Sequence, residues 1–149
     1  MADSIRKRFR ARLNQKSLIV APGIYDAYGA RFVEHAGFGA VYMTGNGVSA
    51  WLLGQPDIGL VDLTLFAQHA HRAAACVSIP LICDADTGYG NAVNVRHTVR
   101  EYEAAGVAAI HIEDQVAPKR CGHLPGSRPV IELKEAASKI EAALAARTD

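Results

Sequence analysis

Residues 80–90 read Pro80-Leu81-Ile82-Cys83-Asp84-Ala85-Asp86-Thr87-Gly88-Tyr89-Gly90, a short apolar run that turns acidic and then glycine-rich. Pro80 to Cys83 has the length and apolar continuity of a strand buried on both faces, as in a parallel sheet. If the chain stays extended beyond it, Asp84 and Asp86 point to one face and present two carboxylates together at the strand's mouth. Left unpaired, they would repel each other and one would take up a proton. A divalent cation relieves that repulsion, and hard oxygen ligands with waters suit Mg²⁺, with Mn²⁺ as a substitute. The competing reading is one aspartate capping the next helix and another salt-bridged to Lys or Arg.

The same alternation extends in both directions. Leu18-Ile19-Val20-Ala21 reads as a strand ended by Pro22-Gly23, and residues 25–36 as a helix with Gly37 just past its end. Ala40-Val41-Tyr42-Met43 is a second strand, followed by a Thr44-Gly45-Asn46-Gly47 loop. Asp62 is placed to cap a helix that turns Leu63, Phe66, Ala67, Ala70 and Ala74 inward. Asn91 is placed to cap another, with Val95, Val99 and Tyr102 on one face and Gly106 closing it. Val107 to Ile112 is a fourth strand, and residues 132–146 a last helix with Leu133, Ala137, Ile140 and Leu144 on one stripe.

Strands alternating with helices imply βαβ units, a parallel sheet and right-handed crossovers. In barrels and open α/β sheets alike, functional residues gather beyond the carboxyl ends of the strands. Here every polar cluster falls there. Neither GxGxxG nor GxxxxGK[ST] follows a strand, so a nucleotide-phosphate cradle is not supported and a barrel is the preferred architecture. The expected organisation is a single domain over residues 1–149: a short helix at 4–14, then four βα units over 18–146. In the first helix Ile5, Phe9 and Leu13 form a stripe, and Arg6, Lys7, Arg8, Arg10, Arg12 and Lys16 read as a solvated basic face.

The chain has 149 residues, half of them apolar and 21% charged, an ordinary globular balance. Sixteen basic against 15 acidic residues leave a net charge of +1, which argues against binding nucleic acid by blanket phosphate neutralisation. No apolar run approaches the ~20 residues a membrane span needs. Three cysteines without CxxC spacing exclude a disulfide framework and a cysteine-rich zinc site, and favour a cytoplasmic home.

The fourth strand leads into His111-Ile112-Glu113-Asp114-Gln115, which sets Glu113 at the depth of these two carboxylates on the neighbouring strand and makes it a third candidate metal ligand. Lys119-Arg120-Cys121-Gly122-His123 lies on the following loop. A thiol beside two cations and near His123 has its thiolate stabilised, and Gly122 and Gly126 allow a mobile lid. Cys76 and Cys83, in apolar surroundings, read as buried packing residues. Thr44, Gly45 and Asn46 offer backbone N–H groups for a carboxylate, or form a simple turn. Asp57 either reaches the mouth or caps a turn. His111 shares the inward face of Glu113; His35, His69, His71 and His97 read as surface or packing residues, and Trp51 either covers the site or packs the core, with core favoured.

Together these stretches resemble the isocitrate lyase / phosphoenolpyruvate mutase superfamily, particularly its 2-methylisocitrate lyase-like members. The matching pieces are Ala21-Pro22-Gly23 with Asp26-Ala27, Tyr42 to Gly45, Gln55-Pro56-Asp57, Asp84 to Gly90, Ile112 to Gln115 and Lys119 to His123, six in order. The resemblance implies a (β/α)₈ barrel with Mg²⁺ at its carboxyl mouth, Asp84, Asp86 and Glu113 forming the metal shell, some through water. It implies that Thr44, Gly45 and Asn46 bind substrate carboxylate with Tyr42 and Asp57 nearby, and that Cys121 is the catalytic acid of a lyase. Lys119, Arg120, Gly122 and His123 are implied to tune that thiol or contact substrate.

The implied reaction is carbon–carbon cleavage of a 2-hydroxy di- or tricarboxylate to a keto acid and a carboxylate. Alternatives are oxaloacetate hydrolysis or decarboxylation, a phosphonate-forming mutase, and a non-catalytic assembly module. Thr44 and Ser127 stand where the family often has Ser and Lys. A complete barrel takes roughly 250 residues, so this sequence is expected to supply the first half, with little activity alone and with self-association through exposed sheet edges.

Overall fold

The computed structural model describes residues 4–149. They form α1 (Ile5–Leu13), β1 (Gly23–Ile24), α2 (Ala27–His35), β2 (Val41–Met43), α3 (Gly45–Leu53), α4 (Leu63–Ala74), β3 (Leu81–Asp84), α5 (Ala92–Ala104), β4 (Ala109–His111) and α6 (Leu133–Ala146). The four strands pair in parallel in chain order, β1-β2-β3-β4. Gly23 lies opposite Tyr42, Met43 opposite Cys83, and Asp84 opposite His111. The strand ends that bear functional side chains therefore sit side by side along one rim.

The helix starts are set by side chains that satisfy otherwise orphaned backbone donors. Asp26 accepts from Gly29 N, Asp62 from Leu65 N, and Asn91 forms a reciprocal capping box with Asn94. Gly37, at φ +86°, supplies the left-handed residue that ends α2. Val41, Met43, Leu81 and Cys83 of the sheet pack with Phe66, Ala70 and Tyr102 in the core, and Phe66 and Tyr102 meet at 6.0 Å between ring centres. Each such fully buried large side chain stabilises the fold by roughly 1.5–3 kcal/mol.

Several expectations change. The first strand is not Leu18 to Ala21: Leu18 is 88% exposed, and pairing begins where Pro22 O accepts from Tyr42 N at 3.0 Å. Proline lacks only a donor, so its carbonyl can still open a parallel ladder. Thr44 to Gly47 is not a loop. Thr44 caps α3 by accepting from Gly47 N, and glycines 45 and 47 lie inside the first turn. Trp51 is 59% exposed against Tyr25, because Gly45, Val48 and Ser49 take the buried side of α3. Cys76 is exposed just beyond the end of α4, whereas Cys83 is buried as expected.

The basic face of α1 is only partly solvated. Arg6 donates to the Val107 and Glu103 carbonyls and pairs with Asp149, and Arg12 donates to Gly39 O. In α6 the stripe of Leu133, Ile140 and Leu144 stays uncovered, with Leu133 83% exposed, while Lys139 and Ala146 are buried. Ile140 and Leu144 join Phe9, Leu13 and Ile110 in lining an apolar cavity of about 680 Å³ beside β4. Among the described residues no helix is long and apolar enough to cross a membrane.

Candidate metal centre

Asp84 is the last residue of β3, and its carboxylate does two local jobs. Oδ1 accepts from Asp86 N at 2.9 Å, and Oδ2 accepts from Gly45 N at 3.3 Å. The first bond turns the chain at once. Asp86 sits in the left-handed region at φ +47°, and Gly88 N closes a turn on Ala85 O. The extended i, i+2 geometry expected for Asp84 and Asp86 is thus absent; the carboxylates converge through a tight turn that aspartate tolerates better than most residues. Strained backbone of this kind persists where the surroundings over-determine it. Tyr102 Oη donates to Asp84 O, Thr98 Oγ1 to Gly88 O and Lys139 Nζ to Thr87 O, at 2.9, 3.0 and 3.1 Å.

Asp57 comes from the segment after α3, which Ser49 holds by donating to the carbonyls of Gln55 and Pro56. It reaches the mouth: one carboxylate oxygen each from Asp57, Asp84 and Asp86 lie within 4.8 Å of one another, all three residues buried. Glu113 follows β4; its N–H donates to Asp86 O at 2.7 Å, which sets it level with Asp86, two residues beyond His111, the partner of Asp84, and its carboxylate accepts from Gln115 Nε2. The N-terminus of α3 points its dipole and the Gly45 N–H at the same cluster, favouring negative charge there.

Lys119 enters the middle of these acids. Its Nζ lies 2.7 Å from Asp57 Oδ2, 3.8 Å from Asp84 Oδ2 and 4.0 Å from Glu113 Oε1, and is in ion-pair contact with Asp86 Oδ1. This joins both alternatives read from sequence, since the acids share one lysine without separating into independent pairs. Burial pushes the Asp86 carboxyl up to about 6 despite the opposing lysine, and burial likewise raises Glu113. Burial works against the Lys119 ammonium, but Asp86, Asp84 and the bond to Asp57 outweigh it and hold its pKa above the ordinary value. Burial, then the nearby Asp84 charge, lifts Tyr42 to about 12.

The loop bearing Cys121 is tied to the cluster through its backbone: Cys121 N donates to Asp57 O at 3.0 Å and Arg120 N to Gln115 Oε1. Cys121 is half-buried; Arg120, Gly122 and His123 are exposed on the same loop. Tyr42 stacks on His111 at 5.3 Å, Thr44 caps α3, and Asn46 is exposed in that helix's first turn. The Gly45 N–H, expected to receive a substrate carboxylate, is engaged by Asp84 instead. Sequence reasoning misses Ser49, Thr98 and Lys139, and reads Tyr102 only as a packing residue of its helix. Lys139 left a trace, as a cation spaced three residues after Ala136 and three before Ala142, on the face of its helix that also carries Ala146.

The chemistry of the donor set fits a hard divalent ion: converging carboxylates, with Asp86 Oδ1 buried and lacking a well-directed hydrogen bond. Fold and site together define an α/β protein with half the strands of a parallel barrel and an acidic mouth at their carboxyl ends. The phosphoenolpyruvate phosphomutase family model matches residues 9–149, and the chain belongs to that family, within the phosphoenolpyruvate mutase / isocitrate lyase superfamily. It is 50% identical over 142 residues to 2,3-dimethylmalate lyase of Eubacterium barkeri, covering 95% of this chain and 49% of that protein. A crystal structure of 2,3-dimethylmalate lyase superposes with a TM-score of 0.91 at 43% identity, over 99% of this chain and 49% of the other. Phosphonopyruvate hydrolase in complex with oxalate and Mg²⁺ superposes with a TM-score of 0.86 at 37% identity, over 99% and 50%. The chain spans about half the length of the relatives it matches.

Proposed function

We propose that this chain forms the metal-holding half of a carbon–carbon lyase acting on a 2-hydroxy di- or tricarboxylate of the 2-methylisocitrate or 2,3-dimethylmalate type. The observation that carries the proposal is the buried Asp57–Asp84–Asp86 group with the Cys121 loop bonded onto Asp57. Asp84 and Asp86 are the primary ligands, with Asp57 and Glu113 completing the shell directly or through water. Bound there, Mg²⁺ or Mn²⁺ would supply Lewis-acid stabilisation of the charge that develops on the keto-acid fragment.

The remaining work falls to side chains. Cleavage leaves a carbanion delocalised into a carboxylate, and Cys121 donates the proton that quenches it. Tyr42, Thr44 and Asn46 orient a substrate carboxylate at the N-terminus of α3, while Arg120 and His123 approach from the loop, with Gly122 allowing its movement. Because the matched relatives are twice as long, we expect the chain alone to turn over little or no substrate. Its uncovered side beside β4 is proposed to pair with a second copy. Three free cysteines support a reducing, cytoplasmic location.

Calorimetric titration with Mn²⁺ tests the site: binding is expected in the chain as it stands and is lost in Asp84→Asn. A folded chain that takes no Mn²⁺ refutes the metal half. Turnover of 2-methylisocitrate by the chain alone at ordinary rates, of order 1 s⁻¹ or more, refutes the expectation of weak activity. Any measurable cleavage should vanish in Cys121→Ser with Mn²⁺ binding kept. The likeness to phosphonopyruvate hydrolase favours a second reading, action on a 2-oxo acid such as oxaloacetate. Oxaloacetate consumption that survives Cys121→Ser would establish that reading over the lyase.

A further inference from the structure

Lys119 is the one buried residue between Asp114 and Val130, only 4% exposed in a segment otherwise open to solvent. Its ammonium faces four carboxylates, Asp57, Asp84, Asp86 and Glu113, all within 4.0 Å. A single positive charge leaves three of those four negative charges uncompensated. The oxygens of Asp57, Asp84 and Asp86 that lie within 4.8 Å of one another surround the place a small dication takes when it binds carboxylates at about 2.0–2.1 Å.

We propose that Lys119 and a divalent cation are alternative occupants of this carboxylate cage, so that ion binding expels the lysine and releases the loop carrying Cys121. The inference rests on the metal site proposed above. Both cations draw on the same three buried carboxylates, of which Lys119 already engages Asp57 Oδ2 and Asp86 Oδ1, and they repel each other in a buried site. Apart from Lys119, the tip of the loop is tied to the mouth by the Cys121 N–H on Asp57 O and the Arg120 N–H on Gln115 Oε1, while its base is closed by Val116 N on Pro129 O and Ile131 N on Asp114 O. Beyond Cys121, a Cβ on Gly122 would meet nothing within 4 Å, and the contacts of Arg128 with the Gly122 and Leu124 carbonyls and of Arg120 with Gly126 stay inside the loop, so the tip can move as a unit once the ammonium leaves. Without an ion, Lys119 neutralises part of the cluster and keeps Asp57 and Asp86 buried; with one, the thiol is freed to follow substrate.

Two measurements on the 149-residue chain test the exchange. Mn²⁺ titration of the unaltered chain, Lys119→Met and Lys119→Arg compares affinities, and hydrogen exchange over residues 115–130 follows the loop with and without Mn²⁺. Removing the competing charge in Lys119→Met is expected to tighten Mn²⁺ by about tenfold or more, with Lys119→Arg close to the original. Mn²⁺ should speed loop exchange in the unaltered chain and leave the already fast loop of Lys119→Met unchanged. Equal or weaker Mn²⁺ binding by a folded Lys119→Met, or a loop that Mn²⁺ slows in the unaltered chain, overturns the exchange while the metal site stands. If Lys119→Met fails to fold, loop exchange in the unaltered chain decides alone. Absence of Mn²⁺ binding in every folded variant overturns the metal site and this inference with it.

Discussion

Gly45 and Asp84, 39 positions apart, approach so closely that the Gly45 N–H donates to Asp84 Oδ2 and a Cβ on Gly45 would stand 2.6 Å from that oxygen. Glycine is required here for space, since the position lies in the first turn of α3. Alanine would gain up to about 1 kcal/mol of helix propensity but would drive the carboxylate away. Gly45→Ala is therefore expected to stay folded and to weaken Mn²⁺ binding by about tenfold or more, as displaced ligands do. Unchanged Mn²⁺ affinity in titration calorimetry would show that Asp84 can hold an ion without this contact.

Tyr102 anchors the acidic turn from below. Its hydroxyl donates to Asp84 O at 2.9 Å and meets Tyr89 Oη at 3.2 Å, both in the interior. Tyr102→Phe keeps the ring but strands a buried carbonyl, which costs about 1–3 kcal/mol. Urea unfolding should show a lower midpoint with an unchanged slope. A midpoint within error of the unaltered chain would mean that the turn is held without Tyr102.

Asp86 gives the metal-free chain an unusual dependence on pH. Burial raises its carboxyl to about 6 from an ordinary 3.8, so the native state holds this proton over an interval where the unfolded chain has released it. Stability then falls as pH rises wherever the native state binds more protons. The contribution is complete below the ordinary value and is lost as pH passes about 6; Glu113, also raised by burial, acts in the same direction. Urea unfolding in chelator from pH 4 to 7 should show the unaltered chain losing ground steadily to Asp86→Asn. A constant difference between the two chains across that range would exclude an elevated Asp86.

How much of this was legible follows from what each signal depends on. Asp62 and Asn91 announced their helices because a cap is a local bargain between one side chain and the next three backbone N–H groups. Asp84, Asp86 and Glu113 were legible because strand ends in parallel α/β sheets sit on one rim. The geometry of Asp86 was not, since the turn depends on one Asp84 oxygen accepting its N–H. In sequence Lys119 is a neighbour of the thiol, yet its ammonium lies among the acids, a contact with Asp57 made across 62 positions that no spacing encodes. Leu18 to Ala21 shows the opposite failure: an apolar run is necessary for a buried strand, but pairing partners decide which residues join the sheet.

The uncovered stripe of α6 leads to a prediction about assembly. Ile140 is 47% and Leu144 54% exposed, and both face the apolar cavity beside β4, which stands at the sheet's edge. An open strand edge next to exposed aliphatic side chains favours pairing with another chain. Sedimentation velocity of the purified chain should show association that grows with concentration. Ile140→Glu places a charge in that contact and is expected to shift the chain toward monomer. Because Ile140 is half-exposed in the single chain, dilute urea unfolding should move by no more than about 0.5 kcal/mol. A chain that sediments as a monomer at every concentration would remove the proposed contact, and a large loss of monomer stability in Ile140→Glu would instead assign Ile140 to the fold of one chain.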